Sequence, residues 1–245
     1  MHFDEYGNET NPPLVLLHGA AALDTFANQY TPLAEHFHLL VPHLSGAGQA
    51  AEEPYEPPAV CDALAEWIAS LSLGRVRVMR HSVGAELAFM LICEHEALFS
   101  RAVLLSPWLT ASKRSAHAYA AVAKISYPAL KCRRLLTVQA KYWHFSEEQT
   151  ARLVEYSAKI PKNTYVSFFE KRVLLSGEPG YASVSIPLLA MCARGDAAET
   201  KASVRALGQN KNCLTVFFPL GSHDFILRCA DKLNPILLDY LLAED

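Results

Sequence analysis

No stretch of this 245-residue sequence approaches the ~18 consecutive apolar residues that span a bilayer. The first residues, Met1-His2-Phe3-Asp4-Glu5, are acidic and short of apolar side chains, unlike a secretory leader. Cysteine is sparse: six residues, at 61, 93, 132, 192, 213 and 229, form no C-x-x-C pair, and most lie in apolar runs such as Leu91-Ile92-Cys93. Together these features predict buried thiols in a reducing compartment and a cytoplasmic protein. An excess of one charge is missing as well. Lys and Arg number 22 against 25 Asp and Glu, which gives no chain-wide basic field for nucleic acid or an anionic membrane, so neither is an expected partner. Among ten histidines only His36-x-His38 has a metal-like spacing, and it suits a solvated helix end, so no metal and no cofactor is expected. Internal repeats and low-complexity segments do not occur.

What is present is an alternation of strand and helix patterns over a length that suits one domain. The apolar run Leu14 to Leu17, bounded by Pro12-Pro13 and His18-Gly19, fits a strand buried on both faces. Leu39 to Val41, Val76 to Met79, Ala102 to Leu105, Pro187 to Met191 and Leu214 to Phe218 are further strand candidates. Between them, Val60, Leu64, Trp67, Ile68 and Leu71 repeat at helical spacing, and so do Leu233, Ile236, Leu237, Tyr240 and Leu241. This order predicts an α/β fold with a doubly wound, mostly parallel sheet. The segment 108–185 breaks the rhythm: it reads as consecutive helices, and it holds 12 Lys and Arg against 5 Asp and Glu, where the rest of the chain holds 10 against 20. A positive insert usually presents a solvated face; its sharper reading is attraction for a carboxylate-bearing substrate or an acidic partner surface.

Acyl transfer by a serine needs a base beside the hydroxyl, an acid behind the base, and donors aimed at the developing oxyanion. Arg80-His81-Ser82-Val83-Gly84 lies between a strand and a helix, where a tight turn lifts a serine Oγ to the helix N-terminus. Ser82 is therefore the candidate nucleophile, against the plainer role of an N-cap. The loop His18-Gly19-Ala20 follows the first buried strand, so the backbone N–H of Ala20 can join that of Val83 as an oxyanion hole. Asp196 and His223 each follow a predicted strand and are the candidate acid and base. Their plainer readings are a helix N-cap or turn residue and a surface loop histidine. Asp224 adjoins His223, but chain neighbours point apart, so a turn or salt-bridge role suits it. His18 and His81 suit structural partners of nearby loops.

Leu14 to Gly19, the serine turn, Gly195-Asp196 and His223 together resemble the α/β-hydrolase superfamily, in its order serine, acid, histidine, over nearly the whole chain. Val41 to Gly48 resembles that family's loop after its fourth strand, with His43 where an aspartate is common. The resemblance implies one domain made of a core, 1–107 and 186–245, with the helical insert 108–185 as a cap. It implies that cap aromatics, Trp108, Tyr142 and Trp143 with Tyr119 and Phe145, line a substrate pocket, unless they serve only the cap's own core. One departure stands out: Arg80 occupies the first glycine position of Gly-x-Ser-x-Gly, where close packing of strand on helix calls for a small residue. The expected activity is hydrolysis of a small carboxylic ester, with a small, possibly anionic substrate. Thioester or carbon–carbon bond hydrolysis, acyl transfer, a cofactor-free haloperoxidase-like activity and a non-catalytic binding protein stay open.

Overall fold

The computed structural model describes residues 1–243, apart from the side chain of Val83. Strands β1 (Phe3–Tyr6), β2 (Pro13–Leu17), β3 (His38–Pro42), β4 (Val76–His81), β5 (Phe99–Leu105), β6 (Leu188–Ala193) and β7 (Cys213–Phe218) form one 7-stranded sheet. Their order is β1-β3-β2-β4-β5-β6-β7, and only the β1–β3 pairing is antiparallel. Leu14 to Leu17 are all 0 % exposed, because helices cover both faces of the sheet. Burial of this kind contributes roughly 1.5–3 kcal/mol per large apolar side chain.

The covering helices outside the insert are α1 (Tyr30–Ala34), α2 (Pro57–Ser70) and α3 (Val83–His95), followed after it by α8 (Ala198–Leu207), α9 (Phe225–Arg228) and α10 (Ala230–Leu242). Leu64 and Ile68 of α2, Leu87 and Leu91 of α3 and Leu207 of α8 pack with Val15, Val78 and Leu104 on one face. Leu33 of α1 and Leu233, Leu237 and Leu241 of α10 pack with Leu14, Leu16, Met79 and Val103 on the other. Each parallel strand thus sends alternate side chains into two separate cores.

Between β5 and β6 lie four helices, α4 (Lys113–Leu130), α5 (Arg133–Tyr142), α6 (Glu147–Lys159) and α7 (Lys162–Glu170), with no strand among them. Their starts are written locally. The Ser112 hydroxyl accepts the Ser115 N–H at the head of α4, and Ser146 and Gln149 form a reciprocal capping box at the head of α6.

Two sequence expectations change. β1 was not anticipated: its alternate half-exposed pattern and acidic Asp4 and Glu5 give little apolar signal, and the chain pairs it as an edge strand beside β3. His38 is not at a solvated helix end; it opens β3, is buried, and its Nε2 meets the Glu5 carboxylate of β1.

Candidate active site

All the parallel strands point their C-terminal ends the same way, so the loops after β2, β4, β5, β6 and β7 crowd along one edge of the sheet. Ser82 sits in the turn between β4 and α3 with φ 59° and ψ −130°, a conformation unusual for a side chain other than glycine. The turn is possible because Gly84 has no side chain: a Cβ there would lie 2.4 Å from the His18 carbonyl oxygen and 2.7 Å from that of Leu17. Although Ser82 occupies the N-cap position of α3, its hydroxyl makes no capping bond. Its Oγ instead lies 2.8 Å from Nε2 of His223.

The other ring nitrogen of His223, Nδ1, is 3.1 Å from Oδ1 of Asp196. Asp196 does not cap α8, whose N-cap is Ala197. Burial pushes its carboxyl up, but the hydrogen bond and charge of His223, the Ser106 hydroxyl at 2.8 Å and the Ala193 N–H at 2.9 Å outweigh this and hold it below the usual carboxylate range. The acid therefore stays ionised beside the imidazole. The loops that carry the two groups are locked by the Gly195 N–H on the Gly221 carbonyl at 3.2 Å, a contact that a Cβ on Gly195 would destroy, at 2.5 Å.

His18 and His81 prove to be loop partners. His18 receives the Leu44 N–H at Nε2, 3.1 Å, and its Nδ1 bonds the Gly19 carbonyl at 2.8 Å; burial lowers its pKa to about 4. His81 bonds the His223 carbonyl at 2.8 Å, and burial together with the charge of His223 lowers it to about 3. The loop after β2 lies against Ser82, since a Cβ on Gly19 would be 3.6 Å from the Ser82 Cβ. Its own hydrogen bonds use the N–H groups of Gly19 and Ala22 and leave that of Ala20 unclaimed among the described residues.

Arg80 neither swings out to solvent nor deforms the turn. It is 0 % exposed in the middle of the sheet, opposite Leu17 and Leu104, and its three guanidinium nitrogens have no hydrogen-bond partner among the described residues. Burial lowers its pKa to about 9, and the nearby Glu86 carboxyl acts in the opposite direction. Strand alternation places it with Val76 and Val78 on the α2–α3 side, away from the Ser82–His223 bond.

A cavity of about 320 Å³ opens at Ser82 and His223. Trp108, Tyr119 and Phe169 line it, and Trp108 meets Tyr119 edge to face at 4.6 Å. Arg172 lies over the Trp108 ring at 3.6 Å and pairs with Glu86, which is fully buried in the first turn of α3. Of the aromatics expected at a pocket, Trp108 and Tyr119 line this cavity, and Tyr142, Trp143 and Phe145 lie elsewhere. Tyr142 is exposed at the end of α5 under the Arg228 guanidinium, and Trp143, just after α5, lines a different hollow beside Ala20 to Ala22. Ser106, Glu86 and Arg172 are contributors that no motif announced; each is set in place by contacts across 86 or more residues. Among the described residues, no helix is long and apolar enough to cross a membrane.

The alpha/beta hydrolase fold family profile matches residues 12–227. Among solved structures, an enol-lactonase from Burkholderia xenovorans LB400 is similar at 20% identity and a TM-score of 0.78, over 99% of this chain and 96% of that one. A hydrolase from Pseudomonas aeruginosa PA01 is similar at 16% identity and a TM-score of 0.77, over 98% and 94%. MenH from S. aureus is similar at 14% identity and a TM-score of 0.75, over 98% and 97%. With a family match over most of its length and the same architecture throughout, this chain belongs to the alpha/beta hydrolase fold family.

Proposed function

We propose that the protein is a serine hydrolase that cleaves a small carboxylic ester or related acyl compound through an acyl-enzyme intermediate. The observation that carries this reading is the Ser82 Oγ to His223 Nε2 contact of 2.8 Å, made by a hydroxyl that does no capping. His223 takes the Ser82 proton as Oγ attacks the carbonyl carbon, and Asp196 holds the ring in the orientation that lets Nε2 accept it. The N–H groups of Ala20 and Val83 hold the oxyanion. His223 then protonates the departing alcohol, and water, activated by the same imidazole, releases the acid and restores Ser82. No step calls on a metal or cofactor.

A cavity of about 320 Å³ with aromatic walls suits a small acyl group. Segment 108–185 acts as the cap that supplies Trp108, Tyr119 and Phe169 to it. The similarity to an enol-lactonase keeps cyclic esters within the substrate class. Arg80 does not argue against turnover, since the nucleophile and base meet at hydrogen-bond distance with it in place.

Labelling with a fluorophosphonate tests the reading without the natural substrate, because the probe needs only an activated serine. The wild type is expected to label, and Ser82→Ala and His223→Ala are not. A folded wild type that fails to label would sink the mechanism and favour a binding protein on the same scaffold.

A further inference from the structure

Helices α4 and α5 each carry a stripe of exposed large apolar side chains. On α4, Tyr119, Val122 and Ile125 recur every three residues; on α5, Leu135, Val138 and Tyr142 recur at three and four, so each set forms one stripe. Ile125 is 80 % and Val138 66 % exposed. These six are half of the twelve large apolar side chains that stand exposed among the described residues, a concentration unlike the single scattered ones that any surface carries. The same helices are strongly cationic. No Asp or Glu occurs from position 97 through 146, while Lys113, Arg114, Lys124, Arg133, Arg134 and Lys141 are all exposed. Among the described residues only Lys124 has a carboxylate partner, Glu170 at 2.8 Å.

We propose that the α4–α5 face docks on an anionic lipid surface. Exposed aliphatic and tyrosyl side chains flanked by Lys and Arg match a headgroup layer, where the apolar groups enter the acyl boundary and the cations stay among the phosphates. A second copy of the chain is a poor occupant, because a two-fold contact would set this cationic face against itself. A protein partner would need carboxylates in register with cations spread along both helices, whereas a lipid surface supplies diffuse negative charge without register. The near balance of charge over the whole chain conceals this local asymmetry. Tyr119 belongs to the face and also lines the Ser82 cavity, so a docked molecule holds that cavity close to the lipid. The docking stands whether or not Ser82 turns over an ester.

Co-sedimentation of the full chain with vesicles tests it. The wild type is expected to pellet with phosphatidylcholine mixed equally with phosphatidylglycerol, to remain in solution with phosphatidylcholine alone, and to be released as salt is raised. Reversing Arg133→Glu, Arg134→Glu and Lys141→Glu together is expected to weaken binding at least ~tenfold. Ile125→Ser with Val138→Ser is expected to weaken it several-fold. All five positions are exposed, so circular dichroism should match the wild type, and the wild-type salt series needs no variant. Equal binding to neutral vesicles, no binding to either kind, or full binding by the charge-reversed variant would overturn the proposal. So would a dimer in sedimentation velocity that the Ile125→Ser, Val138→Ser pair dissociates.

Discussion

Around Ser82 almost every group is held from several directions, whereas α4 and α5 leave six large apolar side chains in the open. The serine turn is braced by Gly84 against the β2 carbonyls, by Asp196 and Ser106 behind His223, and by His81 on the His223 backbone. The insert is joined to the core through Phe168 and Val173, which pack in one of its apolar clusters, and through polar ties. Arg152 of α6 pairs with Asp4 of β1 and reaches Asp24 at 3.3 Å, Lys171 pairs with Glu56, and Arg172 pairs with Glu86. The contrast separates two regions: one holds Ser82, His223 and Asp196 in a hydrogen-bonded row, and the other presents a surface. If it is right, changes in the first region should register in chemistry, and changes on the exposed face of the second should leave both chemistry and folding alone.

The largest effect belongs to the acid behind the base. Asp196→Asn keeps the size of the side chain but replaces an acceptor toward Nδ1, so the imidazole loses the tautomer that frees Nε2 for Ser82. The rate of acylation by an activated ester is expected to fall by roughly 10³–10⁴-fold. A loss of less than about tenfold would show that the geometry at His223 is not used for turnover.

Next comes Arg80, which tests whether everything near the turn is tuned. Its guanidinium is fully buried without a hydrogen bond among the described residues, an arrangement that costs stability. Arg80→Met keeps most of the volume and removes the buried charge, so urea unfolding should show a gain of about 1–3 kcal/mol. Labelling of Ser82 should persist. A loss of stability would instead mean that the charge is favourably held by the field of Glu86.

How much of this was legible in the sequence follows the range of the contacts. The buried strands announced themselves through unbroken apolar runs, and Ser82, Asp196 and His223 through their places just after strands. Gly84 was legible because a glycine four residues into a strand-to-helix turn has few other reasons to be there. β1 was not, since four half-exposed residues with two acids carry no periodic signal that outweighs their polarity. Nor were Ser106, Glu86 and Arg172, whose partners lie far along the chain. Where Tyr142 and Trp143 turn was not legible, because aromatic composition does not say which way a helix faces: Tyr142 ends α5 beneath Arg228, and Trp143, its C-cap, lines the hollow beside Ala20 to Ala22.

Acid separates the two regions again, because the site edge contains histidines that burial keeps neutral. The folded pKa of His81 is lowered from 6.5 to about 3, so in this window the unfolded chain takes up a proton that the folded one refuses. The stability that follows is present above about 6.5 and is lost as pH falls, at up to ~1.4 kcal/mol per pH unit for this one group. His81→Gln, which keeps a side-chain donor for the His223 carbonyl, should unfold with a pH slope shallower by that amount between about pH 6 and about pH 5. Urea titrations of both proteins at a series of pH values measure it, and equal slopes would show that the folded protein protonates His81 in this range.

The smallest expected effect is also the sharpest statement about the insert. Ile125→Ser and Val138→Ser exchange large apolar side chains for small polar ones, a change that inside the sheet, at Leu16 for example, would cost several kcal/mol. On α4 and α5 these side chains touch water, so little apolar burial is lost, and the modest helix propensity of serine is close to that of the residues it replaces. Each variant should unfold within about 0.5 kcal/mol of the wild type and label at Ser82 at the same rate. A destabilisation of ~2 kcal/mol or more would mean that the face is folded against something in solution, and that what looks like a surface is the missing half of a core.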